Sequence, residues 1–361
     1  HHLSGTPMLA IGLVSALFAA PAPPAPPRVL FVRGADRSGG FFEAESDEDR
    51  TEQLADIYNT STAPGNHGWF ELAEELRQDG FVVSQIIEPL EDHPPATGLT
   101  RGVHIDFETL NLSHYDVIVM GSNNAVYDVA AIDAFEAFIR AGGAALFISD
   151  AGFGSNWADA SNSDQQFLDR FGWTIQQDLG VYALSRDEGD FLEPDHPVLQ
   201  GVDTFEGEGV SPGIGAGPDT PDMTTSPLVR ATPDGITRDN DGIPGSVRAV
   251  RPTDSALIVG EAGCGRLAIH FDRNTFFNLN GAGTDLHKFD HRQYALNLFR
   301  WLADPGADRD RNGILSFDDI LAYLNAFAHA EPSADLAPPY AQHDLSDLLA
   351  FLHLFNRQCA R

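Results

Sequence analysis

The chain has 361 residues, of which 42% are hydrophobic and 10% aromatic. That is enough for one large globular domain and one small one. Fifty-three acids against 22 bases give a formal charge of −31, which argues against nucleic acid and against an anionic membrane surface as partners. Such an acidic surface suits a soluble extracellular protein in a calcium-containing medium. The two cysteines, Cys264 and Cys359, fall in different expected domains, so neither a disulfide scaffold nor a zinc cluster is expected.

The chain order begins with Met8–Ala20, MLAIGLVSALFAA, an apolar run too short to span a bilayer. It reads as the outline of an export signal, although no Lys or Arg precedes it. PAPPAPP at 21–27 then makes a stiff spacer. Residues 1–27 are therefore expected to be a signal peptide and spacer, with the mature chain extracellular or at the cell surface. No later segment is apolar enough for a membrane span in the mature chain.

From residue 28 to residue 303, strand-like and helix-like patterns alternate. RVLFVR (28–33), FVVSQII (81–87), YDVIVMG (115–121) and AALFIS (144–149) read as strands. The segments 67–80, 130–143, 163–172 and 291–303 carry helical periodicity. SALIVGE (255–261) and GRLAIHF (265–271) read as a late hairpin. The pattern predicts an α/β sandwich with a mostly parallel sheet covered on both faces. The Gly-, Pro-, Asp- and Thr-rich stretch 205–254 reads as a loop-rich insertion near the sheet edge. The acidic runs at 41–53 and 237–242 read as a solvated loop and a turn.

In such sheets the ligand crevice lies beyond the carboxyl ends of the strands. Asp36 follows the first strand, Ser122, Asn123 and Asn124 the third, Ser149 and Asp150 the fourth, and Asp272, Arg273 and Asn274 the last. Together they predict a polar, acid-rich mouth suited to a hydroxylated ligand such as a sugar. Each of these residues could equally be an ordinary turn or cap residue. His287 and His291 are four apart, a spacing that can share a metal or simply cap a helix.

Three segments of this region carry a resemblance. IYNTSTAPGNHGWFELAEEL, DHPVLQGVDTF (195–205) and GCGRLAIHFD resemble the trehalose-utilisation protein family, one of the class I glutamine amidotransferase-like folds. The resemblance implies a flavodoxin-like three-layer sandwich over 28–303 and a carbohydrate-related role. In catalytic amidotransferases a cysteine occupies the turn after a central strand. Here ALFISDAGFG places Asp150 or Ser149 there, so glutamine hydrolysis by a thiolate is not expected. A serine nucleophile needs a histidine, and His67, His196 and His270 are the candidates. Asp150 and Asp272 could instead act as a carboxylate pair on a glycosidic bond if suitably spaced. The expected catalytic set is thus Asp150, Ser149, Asp272 and His67.

The chain ends differently. DRDRNGILSFDD (308–319) places oxygen ligands at the positions a twelve-residue calcium loop needs. Asp308, Asp310 and Asn312 supply side-chain oxygens and Ile314 its carbonyl. Ser316 contributes directly or through water, Asp319 closes the site, and Gly313 allows the turn. Twenty-eight residues on, the following helix repeats: Ile320, Ala322, Tyr323, Leu324 and Phe327 match Leu348, Ala350, Phe351, Leu352 and Phe355. The second loop (335–347) has one extra residue and lacks acids at its third and fifth places. Two such repeats resemble a dockerin module over 304–361, a small all-α calcium-binding unit. The resemblance implies a cohesin-like scaffold or cell-surface protein as partner and Ca2+ as the bound ion. Two readings follow: an exported carbohydrate-handling domain, as hydrolase or lyase, tethered by this module; or a non-catalytic binding or structural domain of the same assembly.

Overall fold

The computed structural model describes residues 25–34, 54–89, 103–123, 125–148, 158–175, 177–178, 181–208, 213–214, 222–232, 236–238 and 247–359. In chain order the principal elements are β1 (Arg28–Arg33), α1 (Phe70–Gln78), β2 (Val82–Ile87), β3 (Val117–Met120), α2 (Val129–Arg140), β4 (Ala144–Ile148) and α3 (Ala158–Leu168). There follow β5 (Val181–Ser185), β6 (Thr204–Glu208), β7 (Met223–Arg230), β8 (Ser255–Ala262), β9 (Gly265–His270) and α4 (His291–Leu302). Helices α5 (Phe317–Ala328) and α6 (Leu345–Asn356) complete the chain.

The strands are apolar without a break because both faces of the sheet are covered. On one face Val29, Phe31, Val117, Val119, Ala144 and Leu146 meet Leu72 and Leu76 of α1 and Leu298 of α4. On the other, Leu30, Val32, Ile118, Met120 and Phe147 meet Phe135 of α2 and Phe167 of α3. The alternation along each strand thus divides one apolar run between two cores, giving three layers.

The seven-stranded sheet has the order β7-β8-β9-β4-β3-β1-β2. Strands β2, β1, β3, β4 and β9 are parallel. They follow the doubly wound 2-1-3-4-5 order of flavodoxin-like sheets. Strands β8 and β7 extend the sheet antiparallel. The turn between β8 and β9 explains the Gly263–Cys264–Gly265 spacing. Gly263 has φ +61°, and a Cβ at Gly265 would lie 2.0 Å from the Ile139 carbonyl oxygen.

The stretch 205–254 is not simply an insertion of loops, because it supplies the edge strand β7. Its sequence MTTSPLVR conceals the strand with a central proline. The β7–β8 register shifts around Pro227, as an edge position permits.

The C-terminal helices enclose a small core of Ala307, Tyr323, Ala326, Ala334 and Phe351. They are fastened to the sheet. Cys264 and Cys359 form a disulfide, a pairing that the sequence reading did not anticipate. Arg311 pairs with Asp116 at 2.7 Å. Asp304 lies 3.8 Å from Arg266 and 3.6 Å from Arg309. Burial would raise the pKa of Asp304, but Arg266, Arg309 and Arg311 override it and hold the carboxyl low. Asp116 precedes β3, and Cys264 precedes β9. These fastenings therefore lie at the amino ends of the parallel strands, opposite the expected crevice.

Candidate functional site

At the carboxyl ends of the strands lies a buried polar network. Asn123, just beyond β3, donates to Ser163 Oγ at 2.9 Å and to Asp164 Oδ1 at 2.8 Å. Ser163 donates onward to the Ala125 carbonyl. Glu88, just beyond β2, accepts from the Tyr127 hydroxyl at 2.7 Å and the Ala125 amide at 3.1 Å. Burial pushes the Asp164 carboxyl well above the usual range, against the hydrogen bond from Asn123 and the positive charge of Arg273, and Glu88 adds to the rise. Burial also raises the Tyr127 phenol, with Glu88 reinforcing it. A carboxyl whose pKa burial raises is a candidate proton donor.

Of the residues expected at the mouth, Asn123 and Arg273 converge on Asp164. Ser122 accepts from the Gly34 amide at 3.2 Å and ties β3 to β1. Asp272 and Asn274 are buried beside Arg273. His67 is buried with its ring edge-on to Phe277 at 5.2 Å. Asp36, Asn124, Ser149 and Asp150 lie outside the described residues. The sequence reading missed Glu88, Tyr127 and Asp164. Glu88 follows a strand and was within reach of the same rule, whereas Tyr127 and Asp164 come from a loop and the interior of α3.

His270, His291 and His196 are held by internal contacts. The His270 ring nitrogens meet the Tyr294 hydroxyl at 2.8 Å and Thr275 Oγ1 at 3.0 Å. His291 accepts from the Glu206 amide at 2.7 Å, and its other nitrogen meets the Asp285 carbonyl. Both of its nitrogens are thus taken by backbone groups, and it is not available to share a metal with His287. His196 accepts from the Val198 amide and lies against Trp301 and Tyr340, on the side of the C-terminal helices. Both cysteines are held in the disulfide, which leaves no thiolate for an amidotransferase-type reaction.

The C-terminal loops are built alike. In the first, Asp319 accepts from the Arg309 and Ser316 amides, and Asp308 accepts from those of Asn312 and Gly313. In the second, Asp347 accepts from the Leu336 and Asp344 amides, and Asp335 accepts from that of Ala341. Gly313 at φ +77° corresponds to Ala341 at φ +63°. Each following helix opens with a capping box, Ser316 with Asp319 and Asp344 with Asp347. The difference is chemical. Only the first loop gathers three carboxylates, with oxygens of Asp308, Asp310 and Asp319 within 4.8 Å of one another. Burial raises the Asp308 carboxyl, and the charge of Asp319 adds to it. Asn312, Ser316 and the Ile314 carbonyl belong to the same loop, so the donor set is entirely oxygen.

The repeat also leaves an apolar face in solvent. Phe317, Leu321 and Leu324 of α5 are 68%, 49% and 43% exposed. Their counterparts twenty-eight residues on, Leu345, Leu349 and Leu352, are 67%, 58% and 52% exposed.

No family model and no curated protein matches the chain. Solved structures similar to it include a cytoplasmic protein from Salmonella typhimurium, at 15% identity and TM-score 0.40, covering 76% of this chain and 98% of that one. A ThuA-like protein from Bacteroides uniformis has 16% identity and TM-score 0.40, covering 79% and 96%. Another from Parabacteroides merdae has 12% identity and TM-score 0.41, covering 77% and 90%. Likeness at this level transfers neither membership nor activity, and the functional reading rests on the residues.

Proposed function

We propose that the chain is an exported, carbohydrate-associated α/β domain carried to a protein scaffold by a calcium-dependent, dockerin-like C-terminal module. The observation that carries this reading is the pair of repeat-related exposed stripes, Phe317/Leu321/Leu324 and Leu345/Leu349/Leu352. Large apolar side chains in contiguous exposed patches mark interaction surfaces. Each stripe, at i, i+4 and i+7, offers one helix face to an apolar partner such as a cohesin-like protein. Oxygen-only donors with three carboxylates fit Ca2+ rather than a softer metal. Asp308, Asp310, Asn312, Ser316, Asp319 and the Ile314 carbonyl would hold the ion, which would remove carboxylate repulsion at the start of α5. The disulfide is compatible with an oxidising, extracellular setting.

For the α/β domain, binding of a hydroxylated ligand at the carboxyl-end network is the favoured role. A second reading, hydrolysis or lyase chemistry, draws on the raised Asp164 carboxyl. Activity of the purified full chain on a polysaccharide panel, lost in Asp164→Asn, would support the second reading over the first. The docking claim is tested by biolayer interferometry against a panel of recombinant cohesin domains. Binding should require calcium and disappear in Leu321→Asp/Leu349→Asp. Binding indifferent to chelator, or no binding across the panel, would overturn it.

A further inference from the structure

A cleft of about 720 Å³ separates α4 from the second C-terminal loop, a volume within the range of small-ligand sites. On the α4 side it is walled by Trp301 and the Gln200 turn, and on the other by Tyr340 and Asp335. The buried His196 ring contacts both, with centroids 5.5 Å from Trp301 and 4.9 Å from Tyr340. The two walls are clamped by the Cys264–Cys359 disulfide and by Asp304 between Arg266 and Arg309. A ligand would therefore meet a cleft already formed, with little ordering cost.

The lining selects against anions. Glu261, Asp304, Glu331 and Asp335 outnumber Arg266 and Arg300. Both guanidinium groups are engaged, Arg266 with the Trp301 carbonyl and Arg300 with Asp79. What remains available is neutral or accepting: the Gln200 amide, the Trp301 indole N–H and the Tyr340 hydroxyl. Asp335 is largely buried and turned into its own loop, where it accepts from the Ala341 amide. Hydroxyl groups both donate and accept, which matches this mixture, and aromatic walls suit the apolar C–H face of a sugar ring.

We propose that this cleft binds a neutral carbohydrate, a short stretch of glycan chain held between α4 and the second loop. It is separate from the carboxyl-end crevice and from the exposed stripes, and depends on neither assignment. The test is calorimetric titration of the full-length protein with cellohexaose, xylohexaose, mannohexaose and maltohexaose. At least one hexaose should bind saturably, and Gln200→Ala and Tyr340→Ala should each weaken it roughly tenfold or more with the melting temperature nearly unchanged. If Tyr340→Ala loosens the C-terminal helices, Gln200→Ala, on the α/β side, keeps the test intact. No binding by any of the four overturns the proposal. So does binding that both variants leave unchanged, which would place the ligand outside this cleft.

Discussion

Tyr323 and Phe351 lie face to face, with ring centroids 4.0 Å apart and planes 3° from parallel. They occupy the same position in the two C-terminal repeats, and each is at most 1% exposed. The pair is the centre of a core so small that few other side chains could replace it. Removing such an aromatic costs about 3–5 kcal/mol. Phe351→Ala should therefore abolish amide protection in α5 and α6 while the sheet keeps its own. Equal protection in variant and parent would show that the stack is incidental.

The disulfide between Cys264 and Cys359 spans a sequence separation of 95 residues. Removing a native disulfide typically costs about 2–5 kcal/mol. Cys264→Ser/Cys359→Ser should lower the unfolding temperature of the C-terminal helices and increase exchange at the Asp304 and Arg311 contacts. A variant indistinguishable from the parent in melting and exchange would mean that the ion pairs alone hold the module.

Much of this was legible in the chain. The apolar runs at 28–33, 117–120 and 144–148 could serve only strands buried on both faces, and the twenty-eight-residue repeat announced the paired helices. Strand β7 was hidden because Pro227 and its threonines break the expected alternation, which an edge strand tolerates. The Cys264–Cys359 pair was hidden because spacing alone does not bring the end of the chain to the turn before β9. At the carboxyl ends of the strands, Asn123 and Arg273, both read from strand ends, act on the buried Asp164. Asp164 was missed because a carboxyl in a helix interior looks like solvated surface until the fold buries it.

His196 gives a pH dependence. Burial, with Arg266 nearby, lowers its pKa from 6.5 to about 3. The folded state thus binds fewer protons than the unfolded state between those values, so stability falls as pH drops through that window. Other carboxylates titrate within its lower part, so the His196 contribution is the difference between the parent and His196→Gln. Between pH 7 and pH 5 the parent should lose more stability than the variant in denaturant titrations. Parallel curves would contradict the assignment.

Asp164 offers a contrast of isosteres. Burial raises its carboxyl, and asparagine keeps an oxygen to accept from Asn123, so Asp164→Asn should change thermal stability little. Asp164→Leu removes the acceptor of Asn123 and should cost about 1–3 kcal/mol. A large loss from the asparagine variant, measured by thermal melting, would show that the ionised carboxylate is the stabilising form.

The central claim is that calcium organises the first loop and, through it, the docking helices. Calcium at a hundredfold excess over its dissociation constant would add about 2.7 kcal/mol to the bound state. The most direct measurement is amide exchange of the full-length chain with calcium and with chelator. Chelation should loosen 308–328 and leave the β1, β3 and β4 amides unchanged, and Asp308→Ala/Asp319→Ala should look like the chelated protein in either buffer. Protection at 314–328 that is the same with and without calcium would contradict the account.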